Sequence, residues 1–530
     1  MLLTFAIFVN KQSTAMSRLY PIGIQNFEDL RNAGYIYVDK TALLYQLATT
    51  GKYYFLSRPR RFGKSLMIST LDAYFSGKRN LFAGLAMEKL EKDWNVHPVL
   101  HMDLNTEKYD TEASLENKIA LTLKQWENIY GNNPDEYSLA TRFEGVIRRA
   151  AEKAGQKVAI LIDEYDKPML QAIGNPQLQT AFRDTLKAFY GALKSCDGYI
   201  RFAMLTGVTK FGKVSVFSDL NNLMDISMDK RYAEICGISD TELHQYFEED
   251  IQALAEELGT DFNSACEQLK ANYDGYHFCY KSPGIYNPFS LLNTFAKKQM
   301  GSYWFETGTP TYLVELMKLH HYNVEDLENT VTNGPALDSI DAASTDPVPV
   351  IYQSGYLTIK GYNAEFENFT LGFPNREVEQ GFFRFLLPNY ASVSTSKSPY
   401  EIQCFVGEVR NGDVDGFLNR LRTFFNDTPY DLARDREVHY QNILYIVFKL
   451  MGFHTEVEYH TSNGRIDLVL KTADYIYVME FKLNGSAEDA MRQIHEKGYA
   501  TAFSADKRKV IKVGINFSDT THSIDRWIIE

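Results

Sequence analysis

Tyr53-Tyr54-Phe55-Leu56-Ser57-Arg58-Pro59-Arg60-Arg61-Phe62-Gly63-Lys64-Ser65-Leu66 is the stretch that decides the fold. The run Tyr53 to Leu56 reads as a buried strand, and the Gly-Lys-Ser after it opens a helix. In that setting the N–H groups of the loop and of the helix N-terminus can cradle phosphate oxygens. Lys64 would reach the β- and γ-phosphates of a nucleotide, and Ser65 would hold Mg²⁺ through its hydroxyl. One position departs from the usual P-loop: Arg58 stands where the motif begins with Gly, and a side chain there calls for a different loop turn. Gly-Lys-Ser alone would also fit an ordinary strand-to-helix turn. Arg60 and Arg61 lie in the loop, where they can pair with phosphates or nearby carboxylates; a solvated surface role is the alternative.

Further along, Val158-Ala159-Ile160-Leu161-Ile162 is followed by Asp163-Glu164, a Walker B pattern. The buried strand delivers two carboxylates to the rim where ligands bind. Asp163 would hold Mg²⁺ through its water shell, and Glu164 would orient and deprotonate the attacking water. A third strand, Tyr199 to Leu205, ends in Thr206-Gly207-Val208-Thr209, where Thr206 or Thr209 is placed to sense a γ-phosphate. With Val99 to Met102, these runs alternate with amphipathic stretches and predict an α/β domain: a P-loop NTPase with a parallel sheet and helices on both faces. Helices should dominate from Thr241 to Leu327. Val331 to Pro349, with Asn-Gly-Pro and Asp-Pro, reads as loop, and short β-like runs follow from Ile351 to Phe373.

The loop Arg-Pro-Arg-Arg-Phe-Gly-Lys-Ser, Tyr37-Val38-Asp39-Lys40-Thr41 and Ile162-Asp163-Glu164-Tyr165-Asp166-Lys167-Pro168 together resemble the predicted AAA-ATPase-like family of bacteria. Tyr273-Asp274-Gly275-Tyr276, Tyr286-Asn287-Pro288-Phe289-Ser290 and Trp304-Phe305-Glu306-Thr307-Gly308-Thr309-Pro310 carry the same resemblance, which covers roughly Tyr20 to Lys360. It implies ATP binding, with Arg61, Gly63, Lys64, Ser65, Asp163, Thr206 and Thr209 at the nucleotide, and it makes Arg58 an ordinary residue at its position.

The last hundred or so residues read α-β-β-β-α-β: a helix Glu437 to Leu450, strands Thr455 to His460, Arg465 to Leu470 and Tyr475 to Lys482, a helical stretch Ser486 to Phe503, and a strand Val510 to Phe517. Glu480 and Lys482 are two apart on one strand and share a face. A tight turn at Thr472-Ala473-Asp474 brings Asp467 beside Glu480. Two carboxylates so placed suit a hard cation, Mg²⁺ or Mn²⁺, and Lys482 can activate water or stabilise charge on a phosphate. This D…ExK pattern resembles the PD-(D/E)XK nuclease-like domain, a restriction-endonuclease-like fold often fused behind the ATPase-like domain. The resemblance adds Gln493 and Tyr499 as supports for the lysine or contacts to the substrate backbone. Glu437 is a further metal-ligand candidate, or a plain helix-start carboxylate.

Composition narrows the partners. The chain has 530 residues and a formal net charge of -13, which argues against coating nucleic acid by bulk charge while leaving room for a local basic cleft. Cys196, Cys236, Cys266, Cys279 and Cys404 have no metal-ligand spacing and suit a reducing cytoplasm. No apolar run approaches the roughly 20 residues of a membrane span. The expected layout is an N-terminal extension at 1–16 with Met16 as an alternative start, the P-loop domain at 17–240, a helical lid and mixed region at 241–395, and the nuclease-like domain at 396–530. The leading expectation is an ATP-binding and ATP-hydrolysing protein with a metal-dependent nuclease acting on DNA or RNA. An ATP-switched nucleic-acid or protein binding module is the alternative, as is a defence or signalling scaffold that forms a homo-oligomer; no arginine stands out as trans-acting, and Arg231 is only a candidate.

Overall fold

The computed structural model describes residues 18–210, 216–217, 220, 222–305, 311–338, 340, 346–391, 393–426, 436–452, 456–462, 465–483, 485–518 and 523–530. At 311, 312, 319, 426, 436–438, 440, 456–462, 465–467 and 483 it describes the backbone alone. The expected extension at 1–16 lies outside the described residues.

Strands β1 (Tyr53–Ser57), β2 (Val99–Asp103), β3 (Val158–Asp163), β4 (Ile200–Gly207) and β5 (Met224–Asp225) form one parallel sheet in the order β2-β3-β4-β1-β5. Every residue of β1 and β3 is buried. Successive residues of a strand point to opposite faces, so the sheet is covered on both, which is why these strands read as unbroken apolar runs. The order sets β4 between the phosphate-loop strand β1 and the acidic strand β3. The carboxyl ends of three strands therefore open into one crevice. The two residues of β5 contain no run that patterning detects.

Helices Asp240–Leu258, Phe262–Tyr273 and Pro288–Lys297 follow, packed around Leu243, Phe247, Ile251, Leu254, Leu269 and Phe295. β6 (Ile238–Ser239), just before these helices, pairs with β7 (Ile285–Tyr286) between them, and after them β8 (Thr330–Asn333), β9 (Thr358–Asn363) and β10 (Asn368–Gly372) form an antiparallel sheet ordered β8-β10-β9. The loop expected over Val331 to Pro349 is instead partly regular, with β8 and the helices Gly334–Asp338 and Val348–Gln353. The turn-forming dipeptides start helices there. Asn333 Oδ1 accepts the N–H of Ala336 at 2.9 Å and Asp346 Oδ1 that of Val348 at 2.9 Å, and a proline near the first helical position gives up an N–H that would be unbonded anyway.

The helix Arg376–Tyr390 leads to the C-terminal part, where helices Ser398–Asn411, Val414–Asn426 and Arg436–Gly452 precede β11 (Glu456–Ser462), β12 (Arg465–Lys471), β13 (Tyr475–Leu483), β14 (Lys509–Ser518) and β15 (Ser523–Ile529). These strands run in chain order across one sheet, antiparallel except for the parallel pair β13–β14. The αβββαβ order is present, with β15 added at the edge. The helix expected over Ser486 to Phe503 ends at Glu496, because Gly498 turns left-handed (φ +62°) and a 3₁₀ turn takes over at Tyr499–Phe503.

Leu161 is fully buried at the centre of β3. Replacing it by Ala removes that packing and leaves a cavity, an expected loss of about 3 kcal/mol. Thermal unfolding followed by circular dichroism should show an earlier transition; an unchanged midpoint would contradict this packing.

Candidate functional site

The phosphate loop runs from the end of β1 to the helix Lys64–Phe75. Arg58 solves the problem of the missing glycine by turning its side chain into the protein, where it is 1% exposed. Its guanidinium donates to the carbonyls of Ser57 (3.0 Å), Ser227 (2.7 Å) and Tyr232 (3.2 Å) and lies 4.0 Å from the ring centre of Phe278. The sharp turning is done later, by Arg61 at φ +66° and Gly63 at φ +94°. Gly63 caps the helix in a conformation that a Cβ would disfavour. Arg60 and Arg61 are exposed, and the Arg61 guanidinium sits 4.9 Å from the ring centre of Phe289.

Lys64 is buried and donates back to the loop carbonyls of Arg58 (3.0 Å) and Pro59 (3.3 Å), with Glu164 at 3.6 Å. Ser65 is half-buried beside it. Asp163 closes β3, and its Oδ1 accepts the Thr206 hydroxyl at 2.5 Å and the Glu164 N–H at 3.1 Å. Glu164 itself has φ +55°, which turns the chain away directly after the strand. Thus Lys64 and Glu164 meet, as do Asp163 and Thr206. Thr209 joins a different group. Its N–H (2.6 Å) and hydroxyl (2.7 Å) both donate to Asp166, a fully buried carboxylate that also accepts the N–H of Val208 at 3.2 Å. Burial, and then the charge of Glu164, pushes the Asp166 carboxyl up to about 6 against the pull of the Thr209 hydrogen bonds.

Beside Gly63 opens an apolar pocket of about 100 Å³, lined among others by Tyr37, Val38, Leu66, Ile235, Cys236 and Phe247. A flat, mostly apolar base next to a phosphate cradle is what such a cavity can hold. Sequence reading did not assign a base pocket. Its one signal was the Tyr37-Val38-Asp39-Lys40-Thr41 motif. In the structure Asp39 Oδ1 accepts the N–H (2.8 Å) and hydroxyl (2.6 Å) of Thr41, while Lys40 Nζ reaches Glu242 at 2.6 Å. The motif therefore fixes the pocket wall to the helix Asp240–Leu258. Arg231 is exposed and paired within its own turn with Asp229 at 2.6 Å.

In the C-terminal sheet, β12 and β13 pair so that Asp467 stands opposite Glu480. The side chains of Asp467 and Glu437 lie outside the described residues. Glu480 is 0% exposed; its Oε1 accepts from Lys482 Nζ at 2.8 Å, and its Oε2 has no hydrogen-bond partner among the described residues. Lys482 is also buried and donates to Gln493, whose amide is 3.5 Å from the Tyr499 hydroxyl. Gln493 comes from the helix Ala487–Glu496, and the register explains its reach. Gly514 of β14 lies opposite Glu480, and a Cβ on it would come within 2.5 Å of the carbonyl of Ala487. The helix can approach the sheet this closely only over a glycine, a residue that sequence reading had no reason to single out. A buried carboxylate oxygen without a donor is costly, and a divalent cation is a partner of the right charge and hardness.

A family model described as "Predicted AAA-ATPase" matches residues 21–217, and one described as "PD-(D/E)XK nuclease superfamily" matches residues 435–527. An uncharacterized protein in the vnfD 5′ region of Azotobacter chroococcum mcd 1 is 35% identical over 522 residues, which is 96% of this chain and 98% of that protein. The solved structure of the Aeropyrum pernix ORC2 protein (ADPNP–ADP complexes) covers 66% of this chain and 88% of its own, at 10% identity and a TM-score of 0.22, too loose a likeness to carry an argument.

The raised Asp166 carboxyl has a thermodynamic sign. In the folded chain it holds its proton up to about 6, whereas its ordinary value is 3.8, so over that window the unfolded state binds fewer protons and stability falls as pH rises. Asp166→Asn should remove this contribution to the slope while lowering the melting temperature throughout, since one amide oxygen cannot accept all three hydrogen bonds. Melting curves of both proteins from pH 4 to pH 7 test it (about the span of the shift); parallel profiles would refute it.

Proposed function

The chain belongs to the predicted AAA-ATPase-like family and carries a C-terminal domain of the PD-(D/E)XK nuclease superfamily, and on that premise we propose that it binds and hydrolyses ATP and cuts DNA or RNA phosphodiesters at a metal-dependent site. The observation that carries the nuclease half is Glu480, a fully buried carboxylate with one oxygen on Lys482 and the other without a donor among the described residues. Glu480 and Asp467 would hold Mg²⁺ or Mn²⁺, which when bound polarises a phosphoryl oxygen and lowers the pKa of a water. Lys482 stabilises negative charge developing on the phosphate and helps place the attacking water. Gln493 fixes the ammonium group of Lys482 and so sets its direction.

At the nucleotide end, the base occupies the apolar pocket beside Gly63, and the loop N–H groups and Lys64 take the phosphates. Lys64 exchanges its loop carbonyls and Glu164 for phosphate oxygens, an exchange that frees Glu164 to orient a water and accept its proton. Ser65 and Asp163 would hold the Mg²⁺ that accompanies ATP, with Thr206 fixing the carboxylate of Asp163. Arg61 is available to the phosphates. Thr209 acts through Asp166, by holding the turn after Glu164.

The test is a cleavage assay with Mg²⁺ or Mn²⁺ on single- and double-stranded DNA and RNA, with and without ATP. Asp467→Ala should abolish cutting, and Gln493→Ala should slow it by about 10- to 100-fold. Lys64→Ala should abolish ATP binding and hydrolysis. Cutting that survives Asp467→Ala would remove the C-terminal site from the reading. Bound ATP without cutting under any condition would replace the nuclease by an ATP-switched binding module.

A further inference from the structure

The phosphate loop of a P-loop protein is ordinarily shaped by its own glycines. Here four residues of the loop, Arg58, Arg60, Arg61 and Phe62, are held by side chains from the region after β5. Phe278 lies against the Arg58 guanidinium at 4.0 Å, and Phe289 against that of Arg61 at 4.9 Å. Tyr276 and Phe278 contact the ring of Phe62 edge-on at 4.7 and 5.5 Å. The one hydrogen bond in this set comes from Trp304, whose indole Nε1–H donates to the carbonyl of Arg60 at 2.9 Å.

Trp304 is also tied on its other side. Its backbone N–H donates to the buried carboxylate of Glu377 at 2.8 Å, and the Ser290 hydroxyl donates to the same carboxylate at 2.8 Å. Glu377 stands in the first turn of the helix Arg376–Tyr390, where the helix dipole favours a negative charge. That helix also touches the neighbouring Phe305, which lies 2.6 Å from where a Cβ on Gly381 would be. Its far side reaches the helix Arg436–Gly452, through the ring pair Phe383–Tyr445 at 5.7 Å and the ion pair Glu379–Lys449 at 3.8 Å. That second helix leads to β11, the edge of the sheet that contains Glu480.

We propose that Trp304 is a positioning residue for the phosphate loop, and that through Glu377 it makes the helix Arg376–Tyr390 respond to what the loop holds. The physical requirement is a single element bonded at both ends. When phosphates draw the loop N–H groups and Lys64 inward, the Arg60 carbonyl moves with the backbone, and the indole follows or lets go. Either change reaches Glu377 by one hydrogen bond. In its nucleotide-dependent half this inference rests on the proposed ATP site; in its other half it does not.

The test uses the full chain and hydrogen exchange. Without nucleotide, Trp304→Phe keeps an aromatic ring and removes the indole donor together with part of the ring volume, whereas Ser290→Ala leaves the indole intact. The N–H of Gly237, which donates to the carbonyl of Phe62 at 3.1 Å, should then exchange roughly fivefold faster, the size expected for one lost hydrogen bond. Ser290→Ala, a milder change, should act in the same direction. Unchanged exchange in both variants overturns the positioning role. With Mg²⁺ and saturating ATP, amides of 376–390 and 436–452 should slow in the wild type and stay unchanged in Trp304→Phe, although fluorescent-nucleotide titration shows the variant loaded. An equal response in both proteins, or none in a loaded wild type, overturns the relay. A wild type that binds no ATP removes the proposed ATP site, while the nucleotide-free comparison still decides the positioning role.

Discussion

A guanidinium buried against backbone carbonyls and an aromatic ring governs the N-terminal half. Taking the Arg58 charge out of water costs several kcal/mol unless hydrogen bonds and an aromatic face offset it. Those partners come from three places: the end of β1 itself, the segment Ser227–Tyr232 that follows β5, and Phe278 beyond the helix Phe262–Tyr273. The P-loop sheet is therefore not finished by its own strands. Its central loop is stable only once the middle region has closed over it. Lys210 repeats the pattern at the end of the neighbouring strand, buried between Asp225 at 3.0 Å and Asp338 of the middle region.

The two candidate sites share a plan despite their different folds. In each, a buried lysine lies close to a carboxylate: Lys64 at 3.6 Å from Glu164, and Lys482 at 2.8 Å from Glu480. In each, neutral oxygens also hold the ammonium, the loop carbonyls in one case and Gln493 in the other. On the proposed function, an incoming phosphate would thus meet a cation already held in place, so less ordering would be needed at the moment of binding. The lysines differ in what steers them. The loop backbone determines the position of Lys64, and a side chain on a separate helix determines that of Lys482.

Much of this was legible in the sequence, and the exceptions have physical causes. The buried parallel strands announced themselves because both faces are covered, so Val158 to Ile162 could only be apolar. Asp467 and Glu480 could be brought together from the turn at Thr472 to Asp474 and strand periodicity, and the β12–β13 register has them opposite. What could not be read depended on contacts between distant residues. Thr209 had the right type and place for a phosphate sensor, yet whether it bonds a phosphate or Asp166 is decided by packing. Asn333-Gly334-Pro335 looked like loop because the residues that make turns are also those that begin helices. The apolar pocket beside Gly63 needed Tyr37 and Val38 to meet Ile235 and Cys236 across the domain, and no local pattern contains that meeting.

The arrangement around Arg58 also bears on how the chain folds as it is made. Arg58 is synthesised about 220 residues before Phe278, and at ~5–20 residues per second that interval is on the order of 10–40 seconds. Through that time the loop carries a charge that its final environment is built to bury, with the aromatic faces still to come. An N-terminal unit that folds on emergence must leave Arg58 in water and its strand end open, then take the side chain inward when the middle region arrives. Ordering of the phosphate cradle is in this way postponed until more than half of the polypeptide exists.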